Sequence, residues 1–332
     1  MSDIKGVEIH DVLGISEPLT KLIETVSGGI GKLYEPTHIK RIAKAKAEEV
    51  KFIGEKISDF NALPIKYDAG KVMIDGTDFS ELAKRANGRL VFQELKKQNN
   101  IDNVVGYAAQ DLSNEKVVSE QPVDIDWVTR FFDSVSDVSS EDMQRIWGKI
   151  LAGEVKQPGS FSLRTLETVR NMSQKDAELF MKVVPFLVST NSERSISSDD
   201  TLLEKYGLSY GIIMILSECG LINSSTFLTL NLHITKEKDC IICTSERIAL
   251  LRSIGNKSHE ISFGAYTLTR VGRDLFSIVD AKPNNKYFSD FVKHIDSHNK
   301  GKIFATIHHV NKIEGDKINY KREPIETIGK ES

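Results

Sequence analysis

Residues 124–180 read DIDWVTRFFDSVSDVSSEDMQRIWGKILAGEVKQPGSFSLRTLETVRNMSQKDAELF, and the stretch holds both tryptophans, Trp127 and Trp147. It is dense in helix start and stop signals. Ser139 stands three residues before Asp142, a capping-box spacing in which hydroxyl and carboxylate each satisfy a first-turn N–H. Met143, Ile146, Trp147, Ile150 and Leu151 follow at steps of one, three and four, forming one apolar face. Gly148 and Ala152 are small residues four apart, which would admit a close neighbouring helix. Gly153 and Pro158-Gly159 are the expected end of this helix. Upstream, Asp124 or Asp126 can cap a helix with Trp127, Phe131, Phe132 and Val135. Downstream, Ser162 can cap one with Leu163, Leu166 and Val169. Ser173 and Asp176 repeat the capping box before Ala177, Phe180, Met181 and Val184. Four short amphipathic helices must bury their stripes on each other. The expected core is Trp127, Phe131, Met143, Ile146, Trp147, Ile150 and Leu166.

The runs DWVTRFF, SSEDMQRIWGKILAGEV and PGSFSLRTLETV together resemble a bacterial family known only as domain of unknown function 2806. The resemblance is dense over residues 120–185. It extends to the N-terminal run LTKLIETVSGGIGKLYEPTHIKRIAKAKAEE. It implies a soluble bacterial protein with a shared helical fold, and it implies no chemistry.

The 332 residues carry 40% hydrophobic and 27% charged side chains, with a net charge of −3. This is ordinary globular composition, with no global pull toward nucleic acid or anionic membrane. No apolar run is long enough to span a bilayer, and MSDIKGVEIHD lacks the apolar centre of a signal peptide. Three cysteines, an odd number, fit a reducing cytoplasm.

Toward the N-terminus, Ser16 caps a helix opening Glu17-Pro18, with an apolar face of Leu19, Leu22, Ile23, Val26, Ile30 and Leu33. Gly31-Lys32 is no phosphate loop, because Val26 and Leu33 stand where a Gly and a Ser or Thr belong. Nor is a membrane anchor expected, since a core-facing stripe is the commoner use of such a helix. After Pro36, residues 37–60 place Ile39, Ala43, Lys46, Val50, Ile53, Ile57 and Phe60 on a heptad seam with one polar member. Val50, Ile53, Ile57 and Phe60 are the expected self-association residues. Seven Lys/Arg and four Glu between Lys32 and Lys56 give this segment a charge of +3, which fits a solvated helix face. A helix from Asp78 to about Lys97 carries Phe79, Leu82, Ala83, Ala86 and Leu90. A further helix carries Ile101, Val104, Val105 and Ala108.

After Leu187 the texture changes. STNSERSISSDD reads as a polar joint between domains. Helices with Leu202 and Leu203, and with Ile212, Ile213, Ile215 and Leu216, precede alternating strands at Leu228–Ile234, near Ile241 and at Ile261–Ala265. Helices with Val271 and Leu275, and with Phe288 and Phe291, lead to a last strand at Lys302–His309. This order is winged-helix-like, although SYGIIMILSECG lacks the Arg and Lys of a major-groove reader.

The fold expected is mainly α: an N-terminal helical segment (16–112), a central helical core (120–187) and a smaller C-terminal α+β, winged-helix-like domain (198–332). Cys240 and Cys243, with Cys219 and His233 nearby, are the candidate zinc ligands, set against buried strand thiols as the plainer reading. His294 and His298 have metal spacing but no accompanying glutamate. His308 and His309 adjoin in a strand and so face opposite sides. Glu154-x-Lys156 echoes a nuclease motif, but at a helix end instead of on a strand. No cofactor and no catalytic residue is expected. The expected function is a cytoplasmic, non-enzymatic scaffold that self-associates, in phage defence or stress response. A nucleic-acid-binding regulator is the alternative, a metal-dependent enzyme ranks below both, and membrane association is not expected.

Overall fold

The structure is a computed structural model that describes residues 16–30, 66–68, 71–73 and 79–329, apart from 191–192, 226–228, 236–238, 256–257, 301 and 316. The chain forms two compact units, Met1–Arg170 and Asn171–Ser332.

The first unit contains α1 (Glu17–Ile30), the antiparallel pair β1 (Lys66–Asp68) and β2 (Lys71–Met73), and α2 (Phe79–Leu112). It continues with α3 (Ile125–Val135), α4 (Glu141–Lys156) and α5 (Leu163–Asn171). Asp124 caps α3 by accepting from the Trp127 N–H at 2.8 Å. The Trp127 ring stacks on Phe131 at 5.1 Å, and Phe131 meets Trp147 edge-on at 5.4 Å. A Cβ on Gly148 would lie 2.4 Å from the Tyr107 Cβ, so α4 approaches α2 as closely as only glycine permits. Leu22 and Val26 of α1 are fully buried, and α1 packs on α3, α4 and α2.

Three local readings change here. The N-cap of α4 is Ser140, not Ser139, and its side chain makes no capping bond; Asn100 Nδ2 reaches Ser139 Oγ at 3.5 Å instead. Gly153 lies inside α4, where the Phe161 ring fills the space a Cβ would need, and the helix runs on to Lys156. The two helices expected over 78–108 are one continuous α2. Its apparent break at Asn99-Asn100 is held by tertiary bonds: Asn100 donates to the Ser136 carbonyl at 2.7 Å and accepts from Gln144 at 3.2 Å.

The second unit overturns the mainly-α fold class and the small winged-helix-like domain with it. It opens with α6 (Gln174–Val183), whose Ser173/Asp176 capping box is formed. It then builds a ten-stranded sheet in which every described pairing is antiparallel. The strands are β3 (Val188–Thr190), β4 (Glu193–Ser197), β5 (Ile222–Asn223), β6 (Thr229–Ile234), β7 (Cys240–Cys243), β8 (Arg247–Ser253), β9 (His259–Leu268), β10 (Ile303–Glu314), β11 (Lys317–Tyr320) and β12 (Glu326–Ile328). Their path is β11-β10-β8-β7-β3-β4-β9-β5, with β12 on β10 and β6 on β9. The segment read as a polar joint therefore holds the β3–β4 hairpin in mid-sheet, with Ser195 and Ser197 fully buried. Helices α7 (Asp200–Lys205), α8 (Tyr210–Glu218), α9 (Arg270–Phe276) and α10 (Asn285–His298) complete the unit. Helix α10 packs against β8, β9, β10 and β12 through Phe288, Phe291, Val292 and Ile295, all fully buried. Among the described residues, no helix is long and apolar enough to cross a membrane.

Candidate interaction surface on the long helix

Helix α2 has two halves with opposite surroundings. From Asn100 to Leu112 it is core: Val104, Val105 and Ala108 are fully buried, and Leu112 nearly so. Tyr107 donates to Glu141 at 2.9 Å, and the Arg145 guanidinium lies 4.7 Å over its ring. That guanidinium also bonds Glu141, which raises its pKa above the ordinary arginine value.

From Leu82 to Asn99, no side chain that the structure describes is buried. Leu82, Leu90, Val91, Phe92 and Leu95 are 51%, 57%, 50%, 44% and 59% exposed. A Cβ on Gly88 would meet nothing within 4 Å. At about 100° per residue, Leu82, Ala86 and Leu90 continue the stripe that is buried further along as Val104 and Ala108. Val91, Phe92 and Leu95 occupy the opposite side. This half of α2 therefore carries apolar side chains on two sides, and large apolar groups this exposed on a regular helix make it a candidate contact surface. Its C-terminal end is polar: Glu94 pairs with Lys97 at 3.0 Å, and Gln98 donates to Asp102 at 2.8 Å.

Other candidate sites resolve into structural roles. Glu154 is 1% exposed, and its carboxylate accepts from the Gly159 and Phe161 N–H groups at 2.6 and 2.9 Å. It caps the loop after α4, which accounts for the acid that echoed a nuclease motif. A groove of about 360 Å³ lies along α1 beside residues 118–125. Its cation, Lys21, donates to the Ser119 and Gln121 carbonyls, and burial lowers its pKa. The ammonium thus ties a strap to α1. His308 is buried with both ring nitrogens engaged, to the Lys321 carbonyl and Thr306 Oγ1, while His309 is exposed.

The sequence-derived residues fall as follows. Trp127, Phe131, Met143, Trp147, Ile150 and Leu166 are buried together in the first unit, with Ile146 only half-buried. Val50, Ile53, Ile57 and Phe60 lie outside the described residues. Cys240 and Cys243 face opposite sides of β7, as a three-residue step in a strand requires. Cys219 caps the end of α8 and His233 is exposed on β6. None of the three cysteines is in a disulfide, and among the described residues no group of three His, Cys, Asp or Glu is arranged for a metal. Burial raises the Cys219 and Cys243 thiols above their ordinary value. Val91, Phe92 and Leu95 escaped the sequence reading because they fall off its single stripe. Plotting both sides of α2 would have found them.

No curated protein and no solved structure matches the chain. One family model does, described as protein of unknown function (DUF2806), over residues 84–292. That span takes in the packed half of α2, the tryptophan core and most of the sheet, and the chain belongs to this family.

Proposed function

We propose that this is a non-enzymatic interaction protein of the bacterial cytoplasm that self-associates through its N-terminal helical region. The supporting observation is the N-terminal half of α2, along which five large apolar side chains are exposed. Burying such side chains contributes about 1.5–3 kcal/mol each when complete, so a second chain has a ready driving force. The nucleic-acid alternative gains little from α8, whose exposed Tyr210, Gly211, Ile215 and Glu218 include no cation.

Light scattering of the full chain at tens of micromolar tests the reading, because association worth about −6 to −7 kcal/mol shows in that range. The wild type should be larger than a monomer. The double variant Phe92→Lys, Leu95→Glu should be a monomer with wild-type helix content and tryptophan emission, since neither side chain is part of the core, and its melting temperature should no longer rise with protein concentration. A wild-type monomer under these conditions removes the proposal.

A further inference from the structure

The β10–β11 hairpin runs on past the strands beside it. β10 pairs with β8 only as far as His309, opposite Arg247 where β8 begins, and with β12 at residues 305–307. From Asn311 onward its described strand partner is β11 alone, with Lys312 opposite Asn319, Ile313 opposite Ile318 and Glu314 opposite Lys317. The result is a two-stranded ribbon about 16 Å long at roughly 3.3 Å per residue, its strands about 4.8 Å apart.

Its two faces differ. Residues directly opposite share a face, and so do alternate residues along a strand. Ile313, Ile318 and Tyr320 therefore occupy one side, and Lys312, Glu314, Lys317 and Asn319 the other. The register shifts at Asn311, whose amide donates to Asn319 Oδ1 at 3.2 Å and so joins the polar side. Lys321 extends this side, because its N–H donates to the His309 carbonyl at 2.9 Å. Desolvation, and then Arg247 and Lys321, lower the His309 pKa against an opposing Glu246, which puts both cations beside that ring. The three lysines and both amides are exposed. Of the acids here, Glu314 pairs with Lys312, and Glu246 accepts from Asn285 at 2.7 Å. Residues 309–322 hold four Lys or Arg against two acids, a charge of +2 on a chain of −3.

Two amides flanked by cations on a narrow ribbon suit one class of partner. Protein interfaces are depleted in Lys. A face without large apolar side chains gives a bilayer nothing to bury. The major groove of B-form DNA, about 12 Å wide, admits a two-stranded ribbon. There Asn reads adenine through paired hydrogen bonds, while Lys and Arg neutralise the phosphates alongside. We propose that the β10–β11 ribbon is a duplex-DNA-binding arm that enters the major groove, with Asn311 and Asn319 toward the bases and Arg247, Lys312, Lys317 and Lys321 toward the phosphates. This arm does not depend on α8 or on self-association.

Fluorescence anisotropy of the full chain with a labelled mixed-sequence DNA duplex, between about 50 and 200 mM salt, tests it. With four cations engaged, log affinity should fall against log salt with a slope of about −3 to −4. The variant Lys312→Gln, Lys317→Gln, Lys321→Gln should lose roughly tenfold or more in affinity and flatten the slope to about −1, with an unchanged circular dichroism spectrum. A control with the same charge change away from the ribbon, Lys175→Gln, Lys182→Gln, Lys302→Gln, should bind as the wild type does. If the ribbon variant misfolds, Lys317→Gln alone should still flatten the slope by about 1, and an unchanged slope overturns the proposal. So does an absence of binding at the lower salt, or an equal loss in the control. Equal affinity for duplex RNA, whose major groove is too deep and narrow for side chains to read, overturns it as well. Polyglutamate that competes as strongly as DNA would give the face to an acidic protein and overturn it too.

Discussion

In the unit ending at Arg170, core partners stand close along the chain. Trp127 meets Phe131 one turn later, and Phe131 meets Trp147 in the second helix after a short joint. In the unit beginning at Asn171, the partners are remote. The buried Tyr287 hydroxyl accepts from the Ser197 N–H across 90 positions, and β3 lies between β4 and a strand fifty residues further on. One unit is assembled from contacts that a helical period can announce. The other depends on pairings that no local pattern states, and its ordering entropy is recovered only when distant strands meet.

The largest expected effect lies in the first unit. Trp147 is fully buried, and Trp147→Ala should cost about 3–5 kcal/mol in denaturant melts followed by Trp127 emission. Its indole N–H has no hydrogen-bond partner in the described structure, whereas that of Trp127 donates to the Phe161 carbonyl at 2.8 Å. Trp147→Phe should therefore cost less than Trp127→Phe, which orphans that carbonyl. The reverse order would show that ring volume, not the bond, decides. Both tryptophans lie in this unit, so its unfolding can be followed apart from the sheet's far-ultraviolet signal. An equal shift of both signals in Trp147→Ala would break the comparison and make the two units one cooperative body.

Glycine gives the next contrast. Gly148→Ala gains roughly 1 kcal/mol of helix propensity, but the new methyl would sit 2.4 Å from the Tyr107 Cβ. Overpacking at about 1–3 kcal/mol should win, and the protein should melt lower. Gly88→Ala places its methyl in open space and should stabilise by about 0.4–1 kcal/mol. If both changes stabilise, the close approach of α4 to α2 is wrong. In the sheet unit, Tyr287→Phe should cost about 1–3 kcal/mol, because it leaves the buried Ser197 N–H without its acceptor. A neutral result would mean that the N–H finds water.

The helices were legible because caps and periodicity are local. Asp124, Ser162, Ser173 and Asp199 each accept a first-turn N–H, and Gly220 stops the turn after α8 at a φ of 73°. The sheet was half legible. β6, β7, β9 and β10 alternate or carry apolar residues, and the sequence places a strand at each. β3 and β4 were hidden because Ser189, Thr190, Ser195 and Ser197 read as a polar linker, although the last three are buried in mid-sheet. Hydroxyls do not register as core in a hydrophobicity pattern. β8 was hidden for the opposite reason: Ile248, Ala249, Leu250 and Leu251 are all buried, so nothing alternates. The candidate surface was legible on one face only, since the heptad reading of 37–60 and the stripe through Leu82 and Leu90 left out Val91, Phe92 and Leu95.

Acid gives the smallest and most direct test of the difference. In the sheet unit, hydrogen bonds hold three carboxyls below their ordinary range. Asp176 is bonded by Ser173, and Glu326 by Lys293. Burial pushes Asp290 up, but its bonds from Lys205 and Tyr206 outweigh that and leave it low. A carboxyl depressed on folding stabilises the fold above its ordinary value, and that stability is lost as pH falls through the folded value. In the same unit Asp296 is pushed up by burial and opposes this in part. In the helical unit, Asp111 is likewise pushed up by burial. Its folded form holds the proton more tightly, so acid favours the folded state at that group. The pairs are partly solvated, and each contributes about 0–1 kcal/mol. Between about pH 5 and pH 3, the sheet signal should therefore weaken before the tryptophan emission moves. Lys293→Met should remove part of the gap, because Glu326 loses the bond that keeps it ionised. Tryptophan emission that shifts first on acidification would reverse the assignment and place the acid-sensitive contacts in the helical unit.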